Sequence, residues 1–346
     1  MVLSGAYSSI LQTSIILLGI LIFTLAKPTN AQSALNDTPD SSFVLLQERD
    51  TNYVHLLLAS ARQQNKASPD SALVFYEKAL QESKKLSFPR GETISYAGMG
   101  KYFLDKSTFR AAKIYLSRAD SIAQKHGYEN IRLRNAVHLA TTLLMLGEFD
   151  EAASVIQRNT VLAQKHKDWK SLGLLHKNRG MIYGRQSNFQ KALEANLAAI
   201  TYFEKADFLP GVAGMHNNVG HIYAETGQSQ NAIKQFEKAR LIFRSIEDKS
   251  GEVLCLNNIG NRYIEIEKID SAIHYLYAAN KLIKQLDRKL ELLYNCLSIS
   301  DALAKKGKLI EAEKFIQEAN TLCEQMGKND LLPYVYIPLA TVREKQ

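Results

Sequence analysis

Alanine recurs at Ala72, Ala112, Ala152, Ala192, Ala232, Ala272 and Ala312, every fortieth position without exception. Seven residues behind runs a second series, Ala79, Ala119, Ala199, Ala239, Ala279 and Ala319, broken only by Asn159. Twelve residues ahead of the first runs a third: Gly100, Gly180, Gly220 and Gly260, with Ser60, Ala140 and Ser300 as small substitutes. Three residues beyond these stand Phe103, Leu143, Tyr183, Tyr223, Tyr263 and Leu303. A period of this length means stacked supersecondary units, none of which can bury its apolar face alone.

Each unit reads as a helical hairpin. The small residues let two helices approach closely, and the aromatic or leucine three residues on fills the space beside them. Residues 251–268 illustrate the first helix. Residues 271–286 illustrate the second, whose alanines seven apart share one face. Gly147, Gly227 and Gly307 fall between the helices of a unit, where a left-handed residue is expected. Asp70, Asp150 and Asp270 fall just ahead of the second helix, favourable to its dipole. No strand-like alternation competes. Pro69 lies in a turn within a unit, and Pro89 and Pro210 lie between units. None is placed inside a repeat helix, where it would cost about 3 kcal/mol. The predicted fold class is all-α: a solenoid of about seven hairpins over residues 51–330. Residues 331–346, with Pro333 and Pro338 and a polar end, read as an abbreviated capping helix that covers the last repeat.

Ahead of the repeats, Ile15 to Ala26 form a largely apolar run of 12 residues. A comfortable membrane span needs roughly 20, whereas 12 suits the core of a secretory signal peptide. Small residues at Thr29 and Ala31 place cleavage after Ala31, so residues 1–31 read as a leader and 32–50 as a flexible tether. No Lys or Arg precedes the run, and the alternative is an uncleaved anchor formed by residues 10–26. The expected location is periplasmic or extracellular, or at the membrane if the anchor stays.

Composition excludes more than it assigns. Hydrophobic residues make up 46% of 346, ample for a core and contrary to disorder over most of the chain. The formal charge of +8 is mild over this length. Lysine-rich pieces such as Lys305-Lys306-Gly307-Lys308 lack the aromatic interleaving of a nucleic-acid platform. Cys255, Cys296 and Cys323 are too few and scattered for a disulfide framework and read as buried thiols. His216 and His221, five apart, do not share a helix face as a zinc pair would. His126 and His166 sit at matching helix ends and read as terminal cations. No phosphate loop, nucleophile elbow or paired-carboxylate setting is present. Neither an enzyme nor a cofactor is expected, and no metal.

A small residue, then Tyr three later, Ala twelve later and a second Ala after seven more resembles the tetratricopeptide repeat. The resemblance covers roughly residues 51–330 and recurs in register seven times. The forty-residue period exceeds the standard 34 and resembles the long-helix forms of kinesin light chains and bacterial peptide-responsive regulators. The signature tryptophan is replaced by Tyr96, His176, His216, Leu256 and Cys296. An exported array with Asn-Asn-(Val/Ile)-Gly units also resembles the extracytoplasmic part of Bacteroidetes-type sensor kinases, although no second span or output domain follows up to Gln346.

The resemblance implies a right-handed superhelix whose concave face is built from the first helices. It assigns to that groove Lys177, Asn178 and Met181; Asn217, Asn218 and His221; and Asn257, Asn258 and Asn261. Arg185, Glu225 and Glu265 follow one turn on. Asn178, Asn218 and Asn258 thus form a ladder confined to three central repeats. Asparagine costs about 0.5–0.7 kcal/mol against Ala in a helix interior, so the ladder calls for compensation. One form of it is pairing with the NH and CO of an extended peptide, with Lys177 and Arg185 adding preference for an acidic group. The other is bridging between neighbouring helices. Lys177, Asn218 and Asn258 fit places in the family's carboxylate clamp, but Met181 and Leu254 occupy two others, so chaperone C-termini are not expected as ligands. The expected function is an exported, non-catalytic interaction module that binds an extended peptide or partner protein in its groove. The alternative is a sensory component of envelope signalling, acting on a separate kinase or transcription regulator.

Overall fold

The computed structural model describes residues 41–333 and 335. The chain divides into two units, Met1–Asn52 and Tyr53–Gln346, and the second holds the repeats. The candidate leader at residues 1–31 lies outside the described residues, as do residues 336–346 of the expected cap. Among the described residues, no helix is long and apolar enough to cross a membrane, and no strand occurs.

Fourteen α-helices follow one another among the described residues: α1 (Ser41–Ala67), α2 (Pro69–Lys85), α3 (Pro89–Asp105), α4 (Phe109–Lys125), α5 (Glu129–Leu146), α6 (Phe149–Lys165), α7 (Trp169–Arg185), α8 (Phe189–Lys205), α9 (Leu209–Glu225), α10 (Ser229–Ser245), α11 (Lys249–Glu265), α12 (Ile269–Leu286), α13 (Lys289–Lys305) and α14 (Leu309–Met326). The odd-numbered helices are the first helices of the seven hairpins. A 3-10 turn, Asn329–Leu331, opens the cap. Leu331 and Val335 are buried against α13 and α14. Three expectations shift. Residues 41–50, read as tether, are already helical, since Pro39 is the last proline before Pro69. Pro69, Pro89 and Pro210 lie inside helices, but in the first turn, where no N–H is missed. Asp70, Asp150 and Asp270 likewise lie within the first turn.

The turns repeat twice as often as the hairpins. A residue with positive φ stands at every twentieth position from 87 to 327. Gly127, Gly147, Gly227, Gly307 and Gly327 take five of these places; Ser87, Ser107, Lys167, Ser187, Asp207, Glu247, Glu267 and Asp287 take the others. The N–H after the left-handed residue reaches back to the carbonyl five residues before it, as in Phe88 to Ser83 (2.8 Å) and Gln228 to Tyr223 (2.8 Å). That is the Schellman closure of a helix C-terminus. Links within and between hairpins therefore have one geometry.

The small-residue series is set by close approach. A Cβ on Gly100 would lie 2.5 Å from Leu116, on Gly220 2.6 Å from Phe236 and on Gly260 2.6 Å from Leu276. Each first helix thus lays its backbone on a large side chain sixteen residues later, and the paired alanines are fully buried beside it. Consecutive helices pack together, and first helices also touch the first helices of the next hairpin: α3 on α5, α5 on α7, α7 on α9, α9 on α11 and α11 on α13. Second helices make no such contacts among the described residues. Closer spacing on one side bends a stack toward that side, so the first helices line the inside of the repeat array.

Candidate binding groove

The inner face is built from the same few registers of α7, α9 and α11, and the structure divides its asparagines into two groups. Asn178 does not face the groove. It is 1% exposed, and its Nδ2 donates to the Val137 carbonyl (3.2 Å) and the Thr141 hydroxyl (3.1 Å) on α5. Asn217 is 7% exposed, and its Oδ1 accepts from Asn258 Nδ2 at 3.0 Å. Asn257 Oδ1 accepts from Asn295 Nδ2 at 2.8 Å. Four of the candidate asparagines are thus spent on seams between adjacent first helices. This compensates their poor helix propensity within the fold.

Asn218 and Asn261 make no hydrogen bond among the described residues and are partly exposed. Lys177 and Arg185 make no ion pair there either. Burial pushes the Lys177 ammonium below its usual range. His221 is held by Asn258, whose Nδ2 lies 3.3 Å from Nε2. That contact leaves Nε2 as acceptor and puts the ring proton on Nδ1. Burial, then the Arg262 charge, push the His221 pKa down.

Charge is unevenly spread along the face. Toward the N-terminal repeats, a cavity of about 140 Å³ is lined by Arg62, Lys101, Arg134 and His138 among others. Lys101 pairs with Asp105, while Arg62 and Arg134 have no ion pair among the described residues. From the fifth repeat on, Glu225, Glu265 and Asp301 dominate. Arg262 neutralises Glu265 (2.6 Å) and Lys305 neutralises Asp301 (3.3 Å), whereas Glu225 has no ion pair among the described residues. A second cavity of about 240 Å³ opens between α7, α8 and α9, with Met181, Asn196, Asn218 and Glu225 in its wall.

Two buried residues beside this face lie outside the registers that the sequence assigns to it. Asn295 links three groups: it accepts from Asn280 (2.8 Å) and donates to Asn257 and to the Leu276 carbonyl (3.0 Å). Its counterpart Asn135, 160 residues earlier, donates to the Leu116 carbonyl at 2.8 Å, and that repetition was the available signal. The second is Asn196, on α8. His216 and His221 form no metal site, and no group of metal-ligating side chains occurs among the described residues. Cys255, Cys296 and Cys323 are free and buried.

Residues 211–282 match the family model of the tetratricopeptide repeat. No curated protein matches the chain in sequence. Among solved structures, it is similar to a signal transduction ATPase with numerous domains and a tetratricopeptide repeat sensor from Pyrococcus horikoshii. That match has a TM-score of 0.67 at 17% identity over 86% of this chain and 44% of the other, so the chain spans less than half of that protein. It is similar to BtubC (BKLC) from P. vanneervenii, with a TM-score of 0.58 at 19% identity over 64% of this chain and 92% of that one. It is also similar to the apo form of RapI, with a TM-score of 0.59 at 14% identity over 80% of this chain and all of that one (100%). Likeness at these identities is likeness of fold.

Proposed function

Given that this chain is a tetratricopeptide-repeat solenoid, a fold typical of protein–protein interaction modules, we propose that it captures an extended peptide, or an extended segment of a partner protein, along its inner face. Binding is non-catalytic. One observation carries this reading: Lys177, Arg185, Asn218 and Asn261 share the centre of the inner face and have no hydrogen-bond or ion-pair partner among the described residues, while Asn178, Asn217, Asn257 and Asn258 beside them are bonded across the seams. Polar groups at the floor of a concave surface gain most from a partner that brings its own backbone NH and CO. The four cations Arg62, Arg134, Lys177 and Arg185 favour acidic side chains toward the N-terminal repeats.

The protein acts outside the cytoplasm, delivered by the apolar run of residues 15–26; a mature chain beginning at Gln32 supports that, and an intact Met1 contradicts secretion by cleavage. A second reading is a sensory component whose occupied groove acts on a separate kinase or regulator. The Pyrococcus array, described as a sensor within its own ATPase, lends it support at the level of fold.

The test is retention of a positional-scanning library of unstructured peptides. The parent protein is run beside Lys177→Ala/Arg185→Ala/Asn218→Ala on the inner face and Leu197→Ser/Leu241→Ser on exposed positions of second helices. Loss of retention in the first variant only, with helicity unchanged, supports the groove. Equal retention by all three, or loss confined to the second, contradicts it.

A further inference from the structure

One register of the second helices is apolar in six repeats and polar in one. Tyr76, Leu116, Ile156, Phe236, Leu276 and Ile316 are large and buried there, and the fourth repeat carries Asn196. Asn196 is 4% exposed. It makes no hydrogen bond among the described residues, and its Oδ1 is fully enclosed. An unpartnered buried amide costs about 1–3 kcal/mol, and a leucine is accommodated at this register against Gly100 and against Gly260. The same repeat also departs at a second register. Where the other first helices carry Gln64, Leu104, Leu144, Ala224, Ile264 and Ala304, the fourth alone carries a glycine, Gly184, and a Cβ there would meet nothing within 4 Å. The two departures coincide in space, since both residues line the cavity of about 240 Å³ between α7, α8 and α9.

We propose that this cavity is a side-chain pocket for a lysine or arginine of the bound peptide, a specificity determinant of the groove reading on which it rests. The walls beside Met181 and Ile222 are apolar and suit an aliphatic stem. Beyond them stand Asn196, whose Oδ1 is enclosed against Gly180, the Asn218 amide, which has no hydrogen bond among the described residues, and the exposed Glu225 carboxylate. Glu225 is the one ionised group in the lining and has no cation of its own among the described residues. A long cationic side chain supplies donors to the Asn218 carbonyl and a counter-charge to Glu225. An acidic side chain meets Glu225 as a like charge, and an apolar one brings it no counter-charge.

The experiment compares peptide pools from a scanning library with one position fixed as Lys, Arg, norleucine, Gln or Glu. Retention is measured on the parent, Asn196→Leu and Glu225→Gln. Asn196→Leu restores the register of the other repeats, so it folds and closes the pocket. The parent is expected to retain Lys and Arg pools over norleucine by about tenfold or more, the worth of one hydrogen bond to a charged group. Both variants are expected to lose that preference while still retaining peptides. Parent retention without a Lys or Arg preference, or a preference that survives Asn196→Leu, overturns the pocket and leaves the groove standing. No pool retained by the parent overturns the groove and the pocket together.

Discussion

Asn258 donates through Nδ2 to Asn217 Oδ1 at 3.0 Å, across the seam between α11 and α9. One asparagine of the inner face thereby consumes the carbonyl of another. Together with the bonds of Asn178 to Val137 on α5 and of Asn295 to Asn257, it makes an amide stitch that joins successive first helices. The ladder serves the fold first, and the polar groups left over beside it are the ones available to a ligand.

That division predicts opposite outcomes for two asparagines in the same register. Asn178→Ala removes bonds inside a buried seam and should lower stability by about 1–3 kcal/mol, read as a fall in the urea midpoint with no change in m. Asn218→Ala should leave the midpoint within about 0.5 kcal/mol and weaken peptide retention. Equal loss of stability in both would mean that Asn218 too belongs to the stitch.

Two glycines of α7 and α9 should also part company. Gly220→Ala drives a methyl to 2.6 Å from the Phe236 ring, and such overpacking costs about 1–3 kcal/mol. Gly184→Ala meets open space and should raise stability by about 0.4–1 kcal/mol by restricting the unfolded chain. Thermal melts of the two variants read the difference directly.

The hairpins were legible because the packing registers demand small residues, and a demand met seven times leaves a period. The turns were half legible. Gly147, Gly227 and Gly307 advertise left-handed positions, but Ser187, Glu247 and Asp287 adopt the same conformation with no glycine to mark it. There the enclosing helices impose the φ. The groove was legible as a face and not residue by residue. Asn178 and Asn218 share a register, yet one bonds Val137 and Thr141 across the seam while the other makes no hydrogen bond among the described residues. That difference lies in the neighbouring helix. Asn196 was readable in principle, as the one polar member of an otherwise apolar series.

Histidine gives the array an acid limit. Burial, with help from the Arg179 charge, pushes His176 down to about 4, and burial lowers His138 and His216 as well. Unfolded, each takes up a proton near its ordinary value of about 6.5. A folded pKa below the unfolded one means stability held above about pH 6.5 and lost as pH falls toward about 4. The urea midpoint should drop between about pH 7 and pH 5. His176→Phe, which keeps a ring beside Tyr202, should flatten that drop; an unchanged slope would contradict the assignment.

The thiols should be inert in the native state. Burial pushes Cys255 and Cys296 up to about 12 and raises Cys323, so almost no thiolate exists near neutral pH. A disulfide-exchange reagent should label all three only once urea unfolds the chain. Labelling of Cys255 in the folded protein would show that the α9–α11 region opens.

The central claim, an inner face that holds an extended peptide, is tested most directly by oxidative footprinting of the array with and without a library-selected peptide. Protection is expected at Met181 and His221, on first helices, with no change at Leu197 and Leu241 on second helices. Protection confined to the second helices, with Met181 and His221 oxidised at the same rate whether or not peptide is bound, would contradict it.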